Sequence, residues 1–408
     1  MNVLFIHQNF PGQFRYLAPC LVREGHTVRA LTMRLNSPDN WEGVPLITHT
    51  PTRTSTPAIH PLASDVETKL IRADSCFQAA LRLRESGFNP DVVLAHPGWG
   101  ESLFIKEVWP NCRLAVYSEF FYNNKGYDVG FDPEFLNNDP SNNCRISIKN
   151  FSSIYHFDLA DAAISPTSWQ ASTYPSFFQK KISVIHDGIR TDIAKPDPNA
   201  SLVLNGDLRI SCEDQIITFV NRNLEPYRGY HIFMRMLPAL LQRYPHARVL
   251  IVGDDGVSYG AKSTSGKSWK NIFFDEVKDQ LSHQQLNRIH FLGHVPYKVL
   301  LAIFQVSSVH VYLTYPFVLS WSLLEAMSCG CAVVASSTEP LLEVINHNET
   351  GLLTDFFDRE MLLSHTSAIL DDSSLKERLG RSAREYVCQN YDLYTKCLPK
   401  QLEWFNSL

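Results

Sequence analysis

Short apolar runs alternate along the chain with stretches whose apolar residues recur every three or four positions. VLFIH (3–7) is the first run, and after QNFPGQ a helical pattern sets Phe14, Leu17, Ala18, Leu21 and Val22 on one face. Glu24-Gly25 ends that pattern and HTVRALT reads as the next strand, giving a β-α-β unit. Pro19 inside the helix is expected to kink it, because proline has no N–H for the turn. The Pro/Thr/His-rich stretch 45–62 predicts a long surface loop, followed by a helix over about 66–86 and the strands DVVLAH (91–96) and RLAVYS (113–118). Residues 122–150 are rich in Asn, Asp, Pro and Gly and predict an irregular excursion of the kind that is usually functional. A helix near 151–160 leads into AAISP, then KISVIHDGI (181–189) is a strand before the linker-like DIAKPDPNASLVLNGD.

The second half repeats this grammar. IITFVNRN, RVLIVG, IHFLG, VHVYLT and AVVASS read as strands, and GYHIFMRMLPALLQRYP, YKVLLAIFQV and LSWSLLEAMSCG as helices. At 408 residues the chain exceeds what one core organises. The expectation is therefore two doubly wound α/β domains with mostly parallel sheets, divided near residue 190, with ligand at the carboxyl ends of the strands and in a cleft between them. Two further helical patterns close the chain and end in Trp404 and Phe405, which need a surface to cover them.

Composition adds exclusions. A net charge of -5 and the absence of a long one-sign run remove the basic footprint a nucleic-acid partner would require. Nine cysteines without a Cys-x-x-Cys pair read as thiols of a reducing compartment, with no metal site. MNVLFIHQNF lacks a basic region and meets Pro11 too early for a signal peptide, and no apolar run reaches the roughly 20 residues of a membrane span. A cytoplasmic protein is expected, with peripheral contact at the inner face of a membrane left open.

Several motifs carry candidate chemistry. GAKSTSGKS (260–268) looks like a phosphate loop, but five residues separate Gly260 from Gly266 where that motif needs four. Gly12 either shapes a turn or lets a phosphate or sugar approach the backbone. In NRNLEPYRGY (221–230), Arg222 and Arg228 stand between a strand and a helix start, where two guanidinium groups suit a diphosphate. The helix from about Leu319 to Cys329 is apolar on several faces yet carries Glu325, a costly charge unless it is paired or bonded. One reading is an internal salt bridge. The other is a carboxylate that accepts the cis-diol of a ribose, while the amides at Leu319, Ser320 and Trp321 face phosphate.

The order NRNLEPYRGY, RVLIVGDDG, IHFLGHVP, VHVYLTYPFVLSWSLLEAMSCGCAVVAS, EVINHNETGLL resembles the nucleotide-sugar half of the family-4 retaining glycosyltransferases of GT-B fold. IHQNFPGQFRYLAPCLVREGHTV, DVVLAH, LADAAISPTS and ISVIHDGI resemble the first half of that family. The resemblance implies an acceptor-side Rossmann-like domain over 1–190, a nucleotide-sugar domain over 191–385, and a helix over 386–408 that packs back on the first. It implies transfer of a sugar from a UDP- or GDP-type donor to a hydroxyl of a glycan, lipid-linked or protein acceptor, with retention, no cofactor and no strictly required metal. Arg222 and Arg228 would neutralise the leaving diphosphate, Glu325 would hold the ribose, and the backbone of Val295 would read the base. Gly253 and Asp254 would join Gly12, Leu319, Ser320 and Trp321 on the donor side. Two departures stand out. Phe317 occupies the position of a second glutamate that binds donor-sugar hydroxyls, and Glu119 that of a histidine near the reacting centre, with His96 the other candidate there. An epimerase or hydrolase on the same fold, or a catalytically impaired glycan-binding protein, are the alternatives.

Overall fold

The computed structural model of the chain describes residues 1–36, 38–136, 139–204 and 206–408. Contacts divide it into two compact units, Met1–Asp187 with Tyr394–Leu408, and Gly188–Leu393. The expected boundary between residues 385 and 386 falls inside a continuous helix, Ser373–Asn390, and the chain joins the first unit only from Tyr394. There the closing helix Leu398–Asn406 buries Trp404 and Phe405, the latter edge-on to His26 at 5.6 Å.

The first unit holds β1 (Asn2–Ile6), β2 (Thr27–Thr32), β3 (Asn40–Trp41), β4 (Val44–Thr48), β5 (Val92–Ala95), β6 (Arg113–Tyr117), β7 (Ala162–Ser165) and β8 (Ile182–Val184). Their order is β3-β4-β2-β1-β5-β6-β7-β8, parallel except for the β3–β4 pair. Val3 to Ile6 have no exposed surface, which is why the central strand reads as an unbroken apolar run. Sequence order reverses between β1 and β5, so the chain leaves these neighbours in opposite directions and a crevice opens at their carboxyl ends.

Three expectations for this unit are corrected. Residues 45–48, placed in the loop 45–62, belong to the strand Val44–Thr48, which pairs in parallel with β2; only Val44 is buried, so the segment lacks the apolar density that marks a strand. Pro19 does not kink a helix, because Leu17–Arg23 begins two residues before it and the missing N–H falls in the first turn. The stretch 122–150 is not wholly irregular: Ser141–Lys149 is helical, while its Asn137 and Asn138 lie outside the described residues.

In the second unit the stretch expected to be a linker forms an antiparallel hairpin, β9 (Ser201–Leu204) and β10 (Leu208–Ser211), whose Asn205 lies outside the described residues. A fully parallel sheet follows, with β11 (Ile216–Asn223), β12 (Arg248–Asp254), β13 (Ile289–Gly293), β14 (Val309–Tyr312), β15 (Val333–Ser336) and β16 (Leu352–Thr354) in the order β13-β12-β11-β14-β15-β16. The order reverses between β11 and β14. Among the described residues no helix is long and apolar enough to cross a membrane.

Candidate functional site

Every donor-side candidate of the second half lies at the carboxyl edge of the parallel sheet in that unit. Arg222 ends β11, Gly253 and Asp254 end β12, Val295 follows β13, and Phe317, Leu319 and Ser320 follow β14. Arg228 closes the turn after β11 and is buried. Its Nη1 donates to the Tyr312 hydroxyl at 3.1 Å, to Thr314 Oγ1 at 2.7 Å and to the Val318 carbonyl at 3.3 Å. These bonds tie the β11 turn to the segment after β14, across the point where strand order reverses. Burial opposes the guanidinium charge, but Tyr312, Tyr259 and Glu225 outweigh it, so its pKa is raised above the ordinary arginine value. The close approach needs Gly229: its φ is +66°, and a Cβ there would stand 2.3 Å from Leu313 Cβ.

Arg222 differs from Arg228 in kind. It is exposed at the strand end and has no hydrogen bond or ion pair among the described residues, whereas Arg228 is held by the protein itself.

Around the Arg228 guanidinium stands an aromatic wall. Tyr259 lies 5.1 Å and Phe317 5.9 Å from it, and Phe317 packs on Tyr259 at 4.8 Å and edge-on to Tyr227 at 5.5 Å. Phe317 is itself buried, so at the position that the resemblance gives to a glutamate this chain has a wall residue.

Sequence reasoning missed Glu225, which organises that wall. Its buried carboxylate accepts from the amides of Ser258 at 3.0 Å, Tyr259 at 3.4 Å and Gly260 at 3.1 Å. Gly260, the first glycine of the phosphate-loop look-alike, thus commits its amide to a protein carboxylate. No spacing rule could have found a partner 35 positions away.

The helix that carries Glu325 spans Trp321–Ser328 and is capped by Ser320, whose Oγ accepts from the Ser322 amide. The expectation that it is buried nearly all round is corrected. Trp321 is 40% exposed and Ser322 and Glu325 are half-buried, forming one accessible stripe beside the buried Leu323, Leu324, Ala326 and Met327. Residues 321 and 325 share a face at helical spacing. Glu325 therefore lies half-buried on that stripe and is not sealed in the core. Asp254 is exposed, Val295 packs half-buried on the core, and Gly253 is closed in: a Cβ would lie 2.8 Å from Leu224 Cδ2.

The first unit gathers a second group at the carboxyl ends of β1, β5 and β6. His96 Nδ1 accepts from the Gly98 amide at 3.2 Å, so the neutral ring carries its proton on Nε2, 3.6 Å from Glu119 Oε2. His7, which sequence reasoning passed over, accepts at Nδ1 from the Asn9 amide at 3.0 Å and so donates from Nε2 to Gln13 Oε1 at 2.8 Å. Gln13 Nε2 then donates to Glu119 Oε1 at 3.1 Å. The chain His7–Gln13–Glu119, with His96 alongside, fixes the carboxylate as an acceptor. Burial, then the neighbouring His96, pushes His7 down to about 3, so it stays a neutral donor at physiological pH. Its position after β1 matches that of His96 after β5, which was the available signal. Gly12 has φ +47°, and a Cβ there would sit 2.2 Å from His7 Nε2, so the missing side chain makes room for this imidazole.

Glu101 was also missed. Both its oxygens are buried without a hydrogen-bond partner, and burial pushes its pKa up to about 7, against smaller opposing effects of its own backbone, Arg72 and His96. A carboxyl group raised above its unfolded value of 4.5 binds a proton on folding, so its contribution to stability falls as pH rises from about 4.5 to 7 and is flat above. Urea unfolding should show this fall, on the order of 3 kcal/mol from this group, and Glu101→Gln should flatten it; an unchanged slope would refute the assignment.

Two protein families match the chain: "Glycosyl transferase family 4 group" over residues 24–194 and "Glycosyl transferases group 1" over 206–386. A D-inositol 3-phosphate glycosyltransferase of Corynebacterium efficiens is 27% identical over 51% of this chain and 47% of its own length. The chain thus spans about half of that curated relative. Among solved structures, sucrose-phosphate synthase of Thermosynechococcus elongatus superposes with a TM-score of 0.73 at 17% identity, over 100% of this chain and 98% of its own. Anabaena HepE in complex with UDP and glucose superposes at 0.66 and 16% identity over 100% of both chains. These likenesses bear on fold.

Proposed function

Since the chain belongs to the family-4, group 1 glycosyltransferases of GT-B fold, we propose that it moves a sugar from a UDP- or GDP-type nucleoside diphosphate sugar to a hydroxyl acceptor with retention. The acceptor class is a glycan, a lipid-linked sugar or a protein, and the setting is glycan, polysaccharide or glycoconjugate assembly in the cytoplasm or at the inner face of its membrane. The observation that carries this reading is the carboxyl edge of the second unit's sheet. There an exposed Arg222 ends β11, and the buried Arg228 bonds Thr314 and the Val318 carbonyl on the segment that leads into the capped helix carrying Glu325.

In this reading the bond from the anomeric carbon to the diphosphate oxygen breaks, and a bond to the acceptor oxygen forms on the same face. The acceptor's proton passes to the departing diphosphate, helped by Glu119 or His96. Arg222 and Arg228 stabilise the charge that develops on the leaving group, so a metal is not strictly required. Glu325 receives the ribose hydroxyls, Val295 meets the base, and Gly253, Asp254, Leu319, Ser320 and Trp321 line the remainder of the donor. Gly12 contributes through the His7 ring that it accommodates.

A second reading draws on Phe317: a buried ring offers no acceptor to donor-sugar hydroxyls, which suits a glycan-binding protein that has lost turnover. The two separate in one assay. With UDP- and GDP-sugars, nucleoside diphosphate release should be slow alone and rise sharply when an acceptor is added. Binding without release would favour the second reading, acceptor-independent release a hydrolase or epimerase, and a product of inverted anomeric configuration would refute retention.

A further inference from the structure

The loop 51–55 and one face of the helix Ser64–Glu85 border an open pocket of about 720 Å³ in the first unit, a volume within the range of small-molecule sites. Its walls are hydroxyl-rich, with Thr52, Thr54, Ser55 and Thr68, and two guanidinium groups, Arg53 and Arg72, reach it. The loop is held to the helix by Glu67. That carboxylate accepts from the Thr56 amide at 2.8 Å, the Thr56 hydroxyl at 2.5 Å and Arg53 Nη2 at 2.9 Å. Ser55 and Thr68 share a further bond at 2.9 Å. The cavity is thus a built wall and needs little ordering when a ligand enters.

The two cations are not equivalent. Glu67 answers the charge of Arg53. Arg72 is half-buried and, among the described residues, has no hydrogen-bond or ion-pair partner.

We propose that this cavity binds a sugar-like polyol bearing one phosphate or carboxylate, with the anion on Arg72 and the hydroxyls on Thr52, Thr54, Ser55 and Thr68. A guanidinium fork is matched to either oxyanion.

The test is calorimetry on the full chain with glucose 6-phosphate, glucuronate and glucose, and in parallel with UDP and GDP. Glucose 6-phosphate or glucuronate should bind at least about tenfold more tightly than glucose, and Arg72→Met should remove that preference. Arg72→Lys should keep part of it, and neither variant should alter UDP affinity or the unfolding midpoint. Phosphatidylcholine vesicles with and without phosphatidylinositol tell a lipid headgroup from a free sugar phosphate; binding of either supports the proposal. Equal affinity for glucose and its phosphate, no binding of any probe, or an unaltered preference in Arg72→Met overturns it. Failure of the wild type to bind either UDP or GDP would instead overturn the transferase reading, so the two failures are distinct.

Discussion

Arg222→Ala is expected to slow sugar transfer by about 10²–10³-fold, the usual cost of removing one group that stabilises transition-state charge. Its fold should be untouched. Arg222 is exposed and makes no hydrogen bond or ion pair among the described residues, so unfolding free energy should stay within about 0.5 kcal/mol of the wild type. The loss should appear in kcat more than in KM, because the charge it meets is largest as the diphosphate leaves. Steady-state rates with the cognate donor check it, and near-normal turnover would remove Arg222 from the mechanism.

Arg228→Met should behave differently, and the contrast is the sharper test. Removing a buried guanidinium strips Tyr312, Thr314 and the Val318 carbonyl of their donor. Unsatisfied buried acceptors together with the lost charge-assisted bonds should lower stability by about 2–4 kcal/mol. Activity should fall as well, since these bonds join the β11 turn to the segment that leads into the helix carrying Glu325. Denaturant unfolding and turnover measured on the same preparations separate the two arginines: Arg222→Ala should be inactive and stable, Arg228→Met weak in both. A fully stable Arg228→Met would mean that its bonds are replaceable, and would shift the weight of the anion site to Arg222 alone.

Glu325 shows how far a periodic pattern reaches. Spacing correctly located a helix there, but apolar residues on several faces suggested a rod buried all round, and the structure leaves one stripe through Trp321, Ser322 and Glu325 accessible. Periodicity reports which residues can share a face; it does not report which face a neighbouring element leaves uncovered. In the same way the loop over 45–62 hid β4, because a strand that pairs mainly through its backbone and buries only Val44 leaves little side-chain signal.

The residue order alone determined the alternation of strands and helices, the two-domain α/β class and the strand ends at which Arg222, Arg228, His96 and Glu119 stand, since these follow from local hydrophobic period and turn chemistry. Tertiary structure decided everything that joins residues far apart in the chain. It turned Arg228 inward onto Tyr312 and Thr314, set Glu225 under the amides of Ser258 to Gly260, and joined His7 to Glu119 through Gln13. A hydrogen bond depends on distance and angle within a few tenths of an ångström, and across 84 or 106 positions only the packed sheet sets those values.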